Sequence, residues 1–246
     1  MTADTTPRPA DLVAATSAPL PPAGDDHAAL RADIRRLGTL LGESLVRQEG
    51  TELLELVERV RLLVREDSAA AAALLDDVDL PTATRLVRAF STYFHLANIS
   101  EQVHRARELA AERARSGGWL AQAVQDVAAS GLPADEVAGR VRSLAVRPVF
   151  TAHPTEAARR TVLGKLRRVA DLLDGPAGSR TDRRLAEVVD LLWQSDELRL
   201  DRPTVSDEAR NVLYYYDELY AEAVPDVLEE LAEQLRSVGV EVPATG

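Results

Sequence analysis

The sequence predicts a nearly all-α fold. Three observations carry that expectation: apolar residues recur at helical spacing along most of the chain, no convincing alternating run marks a strand, and 46% apolar content over 246 residues is enough for a sizeable core. Leu30, Ile34, Leu37, Leu41 and Leu45 form a first apolar stripe, and Leu53, Val57, Val60 and Val64 a second; both read as core-facing helices. A long helix should follow, opened by Asp79 with Pro81 in its first turn, with Leu86, Phe90, Tyr93 and Ala97 on one face. "GGWLAQAVQDVAASG" and "LPADEVAGRVRSL" read as two shorter helices parted at Gly131, a suitable stop. "VRPVF" breaks the pattern and is more extended than helical. Helix resumes after Thr155, with Val162, Leu166, Val169 and Leu173 inward. "DGPAGSRTD", residues 174–182, reads as a surface loop. Two last helices are expected near 183–199 and 204–238, the second bent or broken at Pro225.

Composition sets the domain plan and removes several classes of function. Residues 1–25 are rich in Pro and Ala without periodicity and read as a disordered tail, which leaves 26–246 as the helical portion. Net charge is −11 and arginines are interleaved with acids almost everywhere, so a nucleic-acid partner is not expected. There is no cysteine, which excludes disulfide scaffolds, thiol catalysis and cysteine metal sites. No apolar run approaches the roughly 18 residues that a membrane span needs. The N-terminus has neither a basic start nor a hydrophobic signal core, so a cytoplasmic location is the expectation.

Chemistry concentrates at "RPVFTAHPTEAARRTV", Arg147 to Val162. With Thr155 as N-cap, Pro154 would hold His153 extended just outside a helix start, beside amides that attract phosphate and carboxylate. The dipole disfavours an imidazolium by roughly 0.3–1 kcal/mol and so keeps His153 neutral, available as a base near pH 7. A bound phosphate acts in the opposite direction and lets the ring accept a proton. Arg159 and Arg160, four and five positions beyond that cap, suit a bidentate anion clamp. Set against this, a histidine before a proline is often an ordinary loop residue, and paired arginines often ride a solvated helix face.

"VFTAHPTEAARRTVLGKL" closely resembles the histidine motif of phosphoenolpyruvate carboxylases, in which T-A-H-P-T precedes a helix with paired arginines. "RAFSTYFHLANISEQVHRAR", Arg88 to Arg107, resembles that family's upstream block. "LLWQSDELRLDRPTVSDEARN", Leu191 to Asn211, is similar to its downstream block, with Ser195 at a usual Thr position and Leu198 at a usual Ile position. The three blocks stand in family order. The resemblance implies conversion of phosphoenolpyruvate and bicarbonate to oxaloacetate and phosphate, an anaplerotic supply to the tricarboxylic acid cycle. It assigns His153 the base that takes the carboxyl proton of carboxyphosphate, and Arg159 and Arg160 an anion or effector contact. The implied fold is the N-terminal part of an α-rich (β/α)8 barrel, with at most one or two short strands here, the first near "PVFTAH". The implied cofactor is Mg²⁺ or Mn²⁺, with ligands beyond Gly246 and no metal ligand assigned within this chain. An allosteric homotetramer is usual in the family. By this reading residues 1–246 alone are inactive.

The remaining candidates have plainer readings. His27 is expected to be solvated, and His95 and His104, nine apart, to be packed or hydrogen-bonded. The run Asp76 to Asp79 reads as a solvated turn at a helix end, and Tyr214, Tyr215, Tyr216 and Tyr220, with Trp119 and Trp193, as core. A helical phosphotransfer or interaction module is the alternative of another class. Phosphotransfer would want its histidine in mid-helix, where Pro154 costs about 3 kcal/mol or more.

Overall fold

The computed structural model describes residues 27–147, 149, 159–196 and 204–242, and every regular element among them is helical. The expected tail lies outside the described residues, and so does the strand expected near "PVFTAH" apart from Val149, which is exposed and outside any regular element. Two compact units divide the chain, Met1–Arg105 with Ala158–Leu198, and Ala106–Ala157 with Arg199–Gly246.

The first unit contains α1 (Ala28–Glu49), α2 (Thr51–Glu66), α3 (Ser68–Asp76), most of α4 (Leu80–Ser116), α7 (Arg160–Asp174) and α8 (Ser179–Trp193). Its core is built from the stripes read in the sequence: Leu37, Leu41 and Leu45 of α1 join Leu53, Leu54, Val57 and Val60 of α2. Val162, Leu166, Val169 and Leu173 of α7 and Leu185, Val189 and Leu192 of α8 complete it. Val64 departs from expectation, being 57% exposed in the last turn of α2. The buried face of α4 is also rotated, because Leu86, Ala89, Leu96 and Val103 take the centre and Phe90 and Tyr93 pack at the flank.

Local chemistry explains the boundaries. Asp79 opens α4 as expected, its carboxylate accepting from the Thr82 amide at 2.9 Å and the Thr82 hydroxyl at 3.0 Å. Those bonds, first the Thr82 amide, hold the Asp79 carboxyl below its ordinary range. The periodicity reading passed over α3; Asp67 caps it by accepting from the Ala69 and Ala70 amides, each at 3.0 Å. The loop expected at 174–182 is shorter, since α8 begins at Ser179, and α8 stops at Trp193 rather than near Arg199. Asp182 lies in its first turn, where a carboxylate complements the helix N-terminus, and it is paired with Arg36 of α1.

Asp190 joins α8 to α1 in the same way. Burial raises its pKa, but hydrogen bonds from Ser44, Arg47 and Gln48, together with the Arg47 charge, outweigh burial and hold it below the ordinary 3.8. A depressed folded pKa stabilises the fold above the unfolded value and loses that contribution as pH falls through the folded one. Asp190→Asn should therefore destabilise by on the order of 1 kcal/mol at pH 7, with the gap to wild type narrowing once the pH drops below about 3.8. Urea midpoints at pH 7 and pH 3 measure this; a gap that stays constant contradicts it.

The second unit contains the end of α4, α5 (Gly118–Ala129), α6 (Ala134–Ser143), α9 (Val205–Glu218), a π-helical turn (Leu219–Ala223) and α10 (Val224–Ser237). Val124, Val137, Ala138, Leu235 and Val240 form its small core. Gly131 has φ +73°, a left-handed turn between α5 and α6, as expected of a helix stop. Pro225 stands in the first turn of α10 directly after the π turn, and Ala223 at their junction is still helical (φ −63°, ψ −39°), so the disturbance expected at Pro225 takes the form of a π turn and not a break: proline has no amide to continue the ladder. Two aromatic expectations are corrected in this unit. Trp119 is 78% exposed, and Tyr220, stacked on Tyr216 at 5.3 Å, is 57% exposed. Stacking covers one face of each tyrosine ring.

Candidate functional site

The described part of the candidate site is the entry to α7. Arg159 takes the N-cap position in extended conformation (φ −64°, ψ 144°) without a side-chain capping bond, and its carbonyl accepts from the Val162 amide at 2.9 Å. Arg160 is the first helical residue. The expected cap Thr155 and the candidate base His153 lie outside the described residues. The described helix thus begins at the arginine pair itself, rather than placing those arginines one turn inside. Cations at a helix N-terminus oppose the dipole and gain from a neighbouring anion. Asp196 supplies one, its carboxylate 3.8 Å from the Arg159 guanidinium.

Asp196 follows the C-terminal end of α8, where a network not foreseen in the sequence gathers. Arg88 of α4 donates through Nη2 to the carbonyls of Trp193 and of Ser195, the latter at 3.0 Å. The same guanidinium lies 4.7 Å from the centroid of the Trp193 ring. The Trp193 indole, 2% exposed, donates to Glu49 at 3.1 Å. Arg85 donates to the other carboxylate oxygen of Glu49 at 3.3 Å. Trp193 is core, as read, and also a hydrogen-bonded keystone between α1, α4 and α8. Arg88 and Trp193 both stand in sequence blocks singled out above, but their pairing across 105 positions left no periodic signal.

The other histidines are placed in part. His27 is not a solvated residue: it is half-buried, with Nδ1 3.3 Å from Nε2 of the buried His104, and the rings meet edge-on at 5.5 Å. Of the two facing nitrogens one donates and the other accepts. Among the described residues one group of possible metal ligands converges, His27, His104 and Glu108, whose ligand atoms lie within 4.8 Å of one another. Two imidazole nitrogens and one carboxylate are not the oxygen set that Mg²⁺ takes, so this group does not fit that ion. No described helix is long and apolar enough to cross a membrane.

The sequence comparisons agree with one another. Residues 30–245 match the family model described as phosphoenolpyruvate carboxylase. The chain is 37% identical over 238 residues to the phosphoenolpyruvate carboxylase of Alcanivorax borkumensis, covering 88% of this chain and 27% of that protein. It is 39% identical over 228 residues to the enzyme of a Thermus species (87% and 26%), and 36% identical over 228 residues to that of Roseiflexus castenholzii (85% and 24%). The chain spans about a quarter of the length of the curated relatives it matches, and corresponds to an N-terminal portion.

Proposed function

The chain belongs to the phosphoenolpyruvate carboxylase family, and from that premise we propose that it is the segment that supplies the general base for carboxylation of phosphoenolpyruvate to oxaloacetate. The observation that carries the reading is the family match over residues 30–245 with the T-A-H-P-T stretch intact inside it. In the proposed sequence a bicarbonate oxygen attacks the phosphate of phosphoenolpyruvate. The ester P–O bond breaks, giving carboxyphosphate and the enolate of pyruvate. His153 takes the carboxyl proton, carboxyphosphate splits into CO₂ and phosphate, and the enolate carbon bonds to the CO₂. The proton held by His153 passes to the departing phosphate, so each atom of phosphoenolpyruvate and bicarbonate is accounted for in oxaloacetate and hydrogen phosphate.

Arg159 and Arg160 are proposed to contact the anionic substrate or an anionic effector. Two guanidiniums at a helix start suit that role through bidentate bonds and adjacent amides. The divalent ion, Mg²⁺ or Mn²⁺, is proposed to be held by residues outside this chain, and no step assigned here runs through it. The homotetramer, the allosteric control, the cytoplasmic location and the anaplerotic role are carried as family-level proposals.

The test compares two proteins. A catalytic polypeptide of the relatives' length that carries this segment should form oxaloacetate with bicarbonate and Mg²⁺ or Mn²⁺, read by coupled reduction to malate. Residues 1–246 purified alone should form none and should not bind Mg²⁺ tightly. Robust metal-dependent oxaloacetate formation by residues 1–246 contradicts the assignment of the metal site elsewhere, and a longer polypeptide with no carboxylation contradicts the function.

A further inference from the structure

We propose that Arg88 is a positioning residue: it fastens the exit from α8 so that Asp196 meets Arg159 at the entry to α7. The proposal rests on the reading of Arg159 as an anion contact.

One guanidinium performs three contacts at the end of α8. It donates to the carbonyls of Trp193 and Ser195, and its face lies against the Trp193 ring. Terminal carbonyls of a helix lack intrahelical donors and carry partial negative charge, so a cation there is favoured on both counts. The ring against which Arg88 rests is itself held, because its indole nitrogen is bonded to Glu49 and Glu49 is paired with Arg85. The end of α8 is thereby tied to both α1 and α4.

Asp196 is the next residue after the carbonyl that Arg88 holds. Its side chain is 77% exposed and its contact with Arg159 is long, at 3.8 Å. An exposed pair of that kind orders little by itself. The geometry must come from a pinned backbone, and Arg88 is the side chain that pins it. Lysine would keep the charge at residue 88 but lose the planar fork and the stacking face.

Arg88→Lys, Asp196→Asn and the double variant test this in the catalytic polypeptide that carries the segment. Each single change should raise KM for phosphoenolpyruvate roughly three- to ten-fold with kcat within about two-fold, and the double should be no worse than the worse single, the mark of residues acting in one chain. Thermal midpoints should stay within a few degrees of wild type. Multiplying effects in the double variant, or an activity loss that simply follows the unfolded fraction, would overturn the proposal. A second readout separates it from the anion reading: the Arg159 Nε–H signal in an NMR spectrum of the chain. Arg88→Lys should move that signal as Asp196→Asn does; an unmoved signal overturns the positioning role whatever KM does. A moved signal with unchanged KM supports positioning and sinks the anion role of Arg159.

Discussion

Replacing His153 with asparagine in a catalytic polypeptide carrying this segment is expected to cut oxaloacetate formation by roughly 10²–10⁴-fold, the usual span for a lost general base. Asparagine keeps much of the size and one hydrogen-bonding face but cannot accept a proton near pH 7. The loss should fall on kcat, since the base acts after substrates are bound. Arg159→Gln, by contrast, removes a proposed anion contact and should act mainly through KM. Steady-state kinetics on the two variants distinguish these patterns, and full activity in His153→Asn would remove that residue from the mechanism.

Replacing Arg61 with alanine is expected to destabilise the first unit by about 3–5 kcal/mol. Glu58 is 6% exposed within the α2 core face, and one of its oxygens receives both Nε (3.0 Å) and Nη2 (2.7 Å) of Arg61. Its other oxygen, Oε1, is buried without a hydrogen-bond partner. That carboxylate depends on Arg61 for compensation, and truncating the arginine leaves a buried charge to be neutralised or hydrated. The paired change Glu58→Leu with Arg61→Met should be close to neutral, because it removes the desolvation cost together with the attraction. Urea unfolding of the three proteins checks this; equal losses in the single and the double variant would show that packing, and not charge, is at stake.

These two expectations differ in how far the sequence alone anticipates them. His153 stands out as a candidate because a short run of unusual residue types, His-Pro-Thr before paired arginines, interrupts a helical pattern. The α1, α2 and α7 stripes are legible because each helix packs one face on a common core, and such burial forces a helical period. Where that contrast is absent the reading fails. In α3 the run Ala69 to Ala73 has no polar face to mark a phase, and only the Asp67 cap signals a start. Trp119 and Tyr220 show that aromatic character does not report burial: one is 78% and the other 57% exposed. Thr181 and Asp182 resemble loop residues by type, yet they stand in the first turn of α8, where such residues are favoured at helix starts.

The α8 exit illustrates a different limit. Arg88 lies beside the buried face of α4, where a sequence reading sees only a solvated flank. Its partners are carbonyls, which carry no sequence signature at all. His27 and His104 likewise meet across 77 positions. Long-range polar contacts of this sort follow from the packing of helices already formed, so they emerge only once the fold is known.

In the proposed reaction His153 acts on carboxyphosphate after that intermediate has formed. The measurement that tests it most directly is the ratio of phosphate released to oxaloacetate formed by the His153→Asn enzyme. If the base is needed only to release CO₂, phosphoryl transfer to bicarbonate continues, water hydrolyses the stranded carboxyphosphate, and the enolate is protonated to pyruvate. The ratio should then rise well above one, with pyruvate making up the difference. Phosphate and oxaloacetate falling together at one to one would contradict this account and place His153 at or before the first transfer.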